Sequence, residues 1–146
     1  MSAIRDLVGV ELGPTAWQDV TQKRVDAFAE ATGDRQWIHT DPLRAAAGPF
    51  GTTIAHGYLT LSLCASLLFE VLRVDDVALT VNYGVNRVRF PLPVPVGSRV
   101  RGRFTVVSVE DVAGGEQAVI QATVEREGAE KPVCAAELVL RFVHSS

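Results

Sequence analysis

The stretch Gly57-Tyr58-Leu59-Thr60-Leu61-Ser62-Leu63-Cys64-Ala65-Ser66-Leu67-Leu68-Phe69-Glu70-Val71-Leu72 constrains the fold more than any other part of this chain. Read as a helix opened by glycine, it places Tyr58, Leu59, Leu61, Leu63, Cys64, Leu67, Leu68 and Val71 on every side and leaves almost no polar face. Such a helix must be enclosed on most sides. Lipid cannot do the enclosing, because the run from Tyr58 to Phe69 is too short to span a bilayer and carries Thr60 and Ser62. The cover has to be protein. Beyond Val77 the sequence supplies it, in apolar residues that alternate with period two. Leu79, Val81, Tyr83 and Val85 mark one strand, and Val100, Phe104 and Val106 a second. Ala118, Ile120, Ala122 and Val124 mark a third, and Val133 to Val143 a fourth. Helical segments followed by an antiparallel meander give an α+β pattern. One long, curved antiparallel sheet wrapped around a central apolar helix meets the burial requirement.

Local signals divide the rest. Thr21 to Ala31 reads as an amphipathic helix with Thr21 as N-cap, Val25, Phe28, Ala29 and Thr32 on one stripe, and Gly33 as the left-handed stop. Asp41 before Pro42 caps a short helical turn over Pro42–Ala47. Gly84 marks a bulge, and Gly114-Gly115 a hairpin turn. Pro91, Pro93 and Pro95 with Gly97 make a stiff, extended connection. At 146 residues the expectation is one domain, 1–146.

Composition excludes several roles. With 47% apolar and 21% charged residues the chain is a folded protein, not a disordered one. A net charge of −3 with scattered basic residues argues against a nucleic-acid partner. Arg87, Arg89, Arg99, Arg101 and Arg103 read as a solvated face on two neighbouring strands, with a phosphate-bearing ligand as the alternative. The start, Met1-Ser2-Ala3-Ile4-Arg5-Asp6, has no signal-peptide pattern, so a cytoplasmic protein with no membrane partner is expected. Cys64 and Cys134 lack metal-ligand spacing and read as small buried hydrophobes.

The chemistry concentrates in Gly33-Asp34-Arg35-Gln36-Trp37-Ile38-His39 and in Ala55-His56-Gly57-Tyr58. A carboxylate and an imidazole stand five residues apart in a loop that closes a helix, and a second helix begins at a glycine. An acid, an imidazole and a helix N-terminus can move protons beside a developing oxyanion. Each residue also has a plainer use. Asp34 fits an Asx-turn after Gly33, and His39 a structural bond to a loop carbonyl. His56 reads equally as a structural residue at the helix start or as a ligand contact, and Asn86 as a substrate or a loop partner. Asp34, His39, Asp41 and His56 show no repeated metal spacing, so neither metal nor cofactor is expected.

Taken together, Phe28-Ala29-Glu30-Ala31-Thr32-Gly33-Asp34 through His39-Thr40-Asp41-Pro42, Gly48-Pro49-Phe50-Gly51-Thr52-Thr53-Ile54-Ala55-His56-Gly57-Tyr58-Leu59-Thr60 and Asn82-Tyr83-Gly84-Val85-Asn86-Arg87-Val88-Arg89-Phe90-Pro91 resemble the MaoC-like dehydratases. These are R-specific enoyl-CoA hydratases of hot-dog fold, and the branch most similar is the nodulation-protein-N-like group. The resemblance implies a hydro-lyase of fatty-acid metabolism that adds water across a trans-2-enoyl thioester, with an acyl-CoA as partner. It implies Asp34 and His39 as the catalytic pair and the Gly57 amide as oxyanion hole, with His56, Gln36 and Asn86 as candidate substrate contacts. One departure stands out: the commonest hydratase motif has Asn-Pro where this chain has Gln36-Trp37. Two other functions compete. A hot-dog thioesterase would want a carboxylate on the central helix, which has none before Glu70. A non-catalytic acyl-thioester binding module would have no need of the Asp34–His39 pair. A short hot-dog also leaves a sheet edge open, so a homodimer is expected.

Overall fold

The computed structural model describes residues 3–145. A 3-10 turn at Ile4–Leu7 precedes two short strands, β1 (Glu11–Leu12) and β2 (Gln18–Asp19). Three helices follow, α1 (Gln22–Thr32), α2 (Trp37–Thr40) and α3 (Pro42–Ala46), and then α4 (Gly57–Val71). Four long strands complete the chain: β3 (Val77–Arg89), β4 (Arg99–Val112), β5 (Gly115–Arg126) and β6 (Cys134–His144). This is the expected α+β hot-dog arrangement, a long antiparallel sheet with α4 against its concave face.

The helix boundaries follow from caps. Thr21 Oγ1 accepts from the Arg24 amide at 3.2 Å, and Gly33 closes α1 at φ 81°. Asp41 accepts from the Arg44 amide at 3.1 Å and Pro42 occupies the first turn of α3. Helix α4 has no side-chain cap at its N-cap, His56. Leu59, Cys64, Leu67 and Leu68 are buried against the sheet, where Phe104, Ile120, Leu140 and Phe142 form the floor of the core. The chain does not cover α4 on all sides: Leu61 and Leu63 are half-buried and Tyr58 is 70% exposed. No helix among the described residues is long and apolar enough to cross a membrane.

Sheet topology departs from a simple meander. The strand order is β1-β4-β5-β6-β3, with β2 also pairing β4. Only β4, β5 and β6 run as a meander, and β3 pairs with β6 instead of β4. The cause lies in the proline-rich connection. Segments rich in proline lack the N–H groups of a tight hairpin, so Pro91–Ser98 carries the chain across the sheet from one edge towards the other. That connection is held in place by Ala55 N donating to Val94 O (2.8 Å) and Val96 N donating to Thr53 O (2.9 Å). It thereby fixes the segment just before α4.

Two further expectations need correction. The β4–β5 turn sits at Ala113-Gly114, one residue earlier than Gly114-Gly115. Gly115 already belongs to β5, where an added Cβ would overlap the Phe142 carbonyl of β6. The arginines do not form one row, because β5 and β6 separate β3 from β4. Arg99, Arg101 and Arg103 are instead matched on their own side of the sheet by Glu127, Glu125 and Glu11. The bulge expected at Gly84 is present as a register shift between Asn82 and Gly84.

Candidate active site

Where α1 stops at Gly33, the chain turns through Asp34, Arg35 and Gln36 into α2. Asp34 is exposed, and its Oδ1 lies 3.5 Å from the Gln36 amide, an Asx-turn contact at the limit of a hydrogen bond. No other hydrogen bond to the Asp34 carboxylate is found among the described residues. The turn therefore leaves most of this group's acceptor capacity free.

His39 lies on α2, only 6% exposed, and its Nδ1 is 2.7 Å from the Ile54 carbonyl oxygen. A carbonyl can only accept, so Nδ1 carries a proton and donates it. In the neutral ring Nε2 is then the bare acceptor. Burial pushes the His39 pKa below its ordinary value, the Ile54 bond opposes that shift, His56 adds to it and Asp34 opposes it. The net effect favours a neutral imidazole with one free lone pair. Its backbone is fixed as well. Gln22 Nε2 donates to the His39 carbonyl at 2.7 Å, while Gln22 Oε1 accepts from the buried Thr53 hydroxyl at 2.6 Å.

His56, 3% exposed, joins the two candidates. Its Nε2–H donates to the Asp34 carbonyl at 2.8 Å, and its ring stacks on His39 with centroids 3.8 Å apart and planes inclined by 21°. Phe28 packs against it at 4.9 Å. The remaining nitrogen, Nδ1, is buried without a partner among the described residues. His56 is thus buried between the elements that carry the pair, with its Nε2 edge turned to the backbone of the Asp34 loop.

Gly57 opens the first turn of α4, where Leu59 N and Thr60 N both take the His56 carbonyl. The amides of Gly57 and Tyr58 have no intrahelical acceptor, as at any helix start. Gly57 borders a cavity of ≈ 290 Å³ lined by Phe50, Ile54, Thr60, Phe90 and Leu92 among others. A Cβ at Gly57 would come within 2.8 Å of the Phe90 ring, so the residue is also a packing glycine. A second cavity, ≈ 180 Å³, lies between α4 (Leu61, Cys64, Ala65) and the strands β3 and β6 (Asn82, Val85, Leu138).

The other sequence candidates stand apart. Gln36 is exposed and makes its contacts with backbone atoms, its carbonyl accepting from His39 N (3.0 Å) and from the Thr40 hydroxyl (3.2 Å). Asn86 stands exposed on β3 opposite Glu137, and makes no hydrogen bond to Asp34, His39 or His56 among the described residues. Sequence reading missed Gln22, Thr53 and Phe90. No local pattern in the sequence singles these residues out.

Asp34, His39 and His56 each offer a ligand atom, all within 4.8 Å of one another. Metal binding suits the set poorly. The two rings lie nearly parallel, 3.8 Å apart, and so aim their lone pairs side by side instead of at one point. Cys64 and Cys134 face each other in the core, away from this cluster. Cys134 beside it and burial both push the Cys64 thiol up, so it stays protonated.

Comparison with known proteins gives the family. Residues 5–129 match the family described as MaoC like domain. The chain is 55% identical over 136 residues to 3-hydroxyacyl-thioester dehydratase Z of Mycobacterium tuberculosis (strain CDC 1551 / Oshkosh), covering 92% of this chain and 90% of that protein. It is 45% identical over 136 residues to Nodulation protein N of Rhizobium leguminosarum bv. viciae, covering 90% and 84%. Among solved structures, the (R)-hydratase from A. caviae involved in PHA biosynthesis superposes with a TM-score of 0.76 at 26% identity, covering 92% of this chain and 96% of that one. With a family model matched over most of its length and a relative more than half identical, the chain belongs to the MaoC-like dehydratase family.

Proposed function

We propose that this chain interconverts trans-2-enoyl and (R)-3-hydroxyacyl thioesters, with Asp34 and His39 holding one water between them. The single observation that carries the reading is a neutral, immobilised His39 with one ring nitrogen free, in a cluster where one ligand atom each of Asp34, His39 and His56 lies within 4.8 Å of the others. Kinship with a 3-hydroxyacyl-thioester dehydratase and an (R)-hydratase supports a hydro-lyase acting on such thioesters.

The proton balance works as follows. A water caught between two acceptors donates one O–H to each. Its oxygen adds to C3 of the enoyl thioester, and the proton it loses passes to one of the pair and on to C2. Negative charge gathers meanwhile on the thioester oxygen. The Gly57 amide, at the positive end of α4, is the donor we assign to it. Dehydration runs the same steps backwards. No cofactor enters. We assign the acyl chain to the apolar cavity beside Leu61 and Ala65, whose lining suits a carried acyl group such as that of an acyl-CoA. Hydrolysis is disfavoured, because the only carboxylate on α4, Glu70, lies at its far end bonded to Gln18. We also infer that 1–146 forms one domain in the cytoplasm and acts as a homodimer, because β3 offers an unpaired apolar edge.

The test follows loss of the conjugated thioester absorbance with crotonyl-CoA and longer enoyl-CoAs. Asp34→Asn and His39→Gln should each lower hydration by roughly 10²–10⁴. The double variant should be little worse than either single one. Saturated acyl-CoA should still bind. Folded single variants with wild-type rates would end this reading, and an unmutated protein that binds acyl-CoA without hydrating any enoyl thioester would make it a binding module.

A further inference from the structure

We propose that His56 is a positioning residue, a single imidazole that sets the spacing and orientation of Asp34 and His39. The inference rests on the reading of that pair as catalytic, and adds to it a residue that touches both members from behind. Three contacts carry it. The His56 Nε2–H bond to the Asp34 carbonyl (2.8 Å) ties down the loop that bears the carboxylate. Its ring face lies on His39 at 3.8 Å, which with the Ile54 bond leaves the His39 ring neither tilt nor spin. Its own backbone is the N-cap of α4, so the Gly57 amide is placed by the same residue. At 3% exposure, backed by Phe28, His56 has little room to move and offers little surface to a substrate.

The two contacts can be removed one at a time. Phenylalanine keeps a ring to stack but loses the donor, whereas glutamine keeps a donor but loses the ring. Leaving the Asp34 carbonyl unpaired frees its loop, and a displacement near 1 Å at a reacting group can cost about 10²-fold in rate. His56 also acts on the protonation of its neighbour, since it lowers the His39 pKa. The groups facing His39 are few. Asp34 comes from the loop after α1 and His56 from the start of α4, while α1 presents the neutral Gln22 and Phe28. Thr53 and Ile54 offer a hydroxyl and a carbonyl, and Asp26 reaches the cluster only through Gln22.

The experiment uses His56→Phe and His56→Gln in the full chain, read by crotonyl-CoA kinetics, melting temperature and NMR titration of the His39 ring. His56→Phe should lower kcat by about 10- to 100-fold with KM changed less than about threefold. His56→Gln should lower kcat similarly and move the His39 titration, with the acid limb of the rate profile, to higher pH. Variants that melt early but keep wild-type kcat and an unmoved His39 titration would reduce His56 to a structural residue. If neither variant folds, the unmutated protein still decides: the His56 Nε2 proton should exchange slowly with solvent, and fast exchange would overturn the bond on which the proposal stands. Loss of the pair's role would show elsewhere, as unchanged rates in Asp34→Asn and His39→Gln, so the two failures are distinguishable.

Discussion

At the scale of the residue, His39 is where sequence chemistry becomes local electrostatics. Burial and the stacked His56 push its pKa down, against the pull of the Ile54 carbonyl and Asp34, and the net shift is below 6.5. The neutral form is the one that accepts a proton from water. Activity should therefore persist as pH falls through 6.5 and collapse only below it, along an acid limb that a pH series of kcat/KM locates. Stability follows the same sign. The unfolded chain takes up the proton first, so the contribution of His39 is complete above pH 6.5 and declines as pH falls towards the folded-state value. A rate limb at or above 6.5 would mean that another group governs it. Asp34 and His39 were legible in the sequence because both belong to one short segment between a glycine stop and a capping aspartate. The residues that immobilise them were not. Gln22 reaches Thr53 across 31 positions, and a polar pair of that kind leaves no periodic trace. The local pattern puts His56 at a helix start but says nothing of its ring direction, which is what separates a substrate contact from a positioning residue.

Between elements, the start of α4 meets the end of β3, and there glycine serves packing as well as chemistry. A Cβ on Gly57 meets the Phe90 ring at 2.8 Å, closer than van der Waals contact. Gly57→Ala should accordingly cost about 1–3 kcal/mol as an overpacking change. A valine here would disturb the fold and the site together, so alanine is the cleaner probe. Adding Phe90→Ala should recover much of the lost melting temperature by making room. If the Gly57 amide also serves the thioester oxygen at close approach, hydration should stay low in that double variant. Rate and stability recovering together would leave Gly57 a packing residue only. The helices themselves were readable, since Thr21, Gly33 and Asp41 cap where their side-chain chemistry says they should. Period two likewise located β3, β4, β5 and β6. It could not say which strand pairs with which, because alternation fixes the face a residue takes and not the identity of its neighbour. The pairing of β3 with β6 is a consequence of the stiff Pro91–Ser98 crossover, a long-range fact that a local pattern does not contain.

For the molecule as a whole, the two sides of the sheet are finished differently. Strand β4 is covered by β1 and β2, whereas among the described residues β3 has a partner on one side only. On that bare edge Leu79, Val81, Tyr83 and Val85 are 43–58% exposed, and Tyr58 of α4 is left open at 70%. A long apolar edge of this kind invites pairing, and the homodimer we propose would close it by symmetry with a second copy presenting the same edge. The incomplete cover of α4 points the same way, since the sequence demanded enclosure and one chain supplies only part of it. Sedimentation at micromolar concentration should give the mass of two chains. Val81→Lys with Val85→Lys, placing two charges on the edge, should give one. The cavity beside Leu61, Ala65, Asn82 and Val85 abuts that same edge, so separating the copies opens one wall to water. Hydration of long enoyl-CoAs should then fall more than hydration of crotonyl-CoA, whose short chain needs little of the cavity. A protein that sediments as one chain at every concentration would remove the homodimer, and with it the protection of β3 that the exposed residues call for.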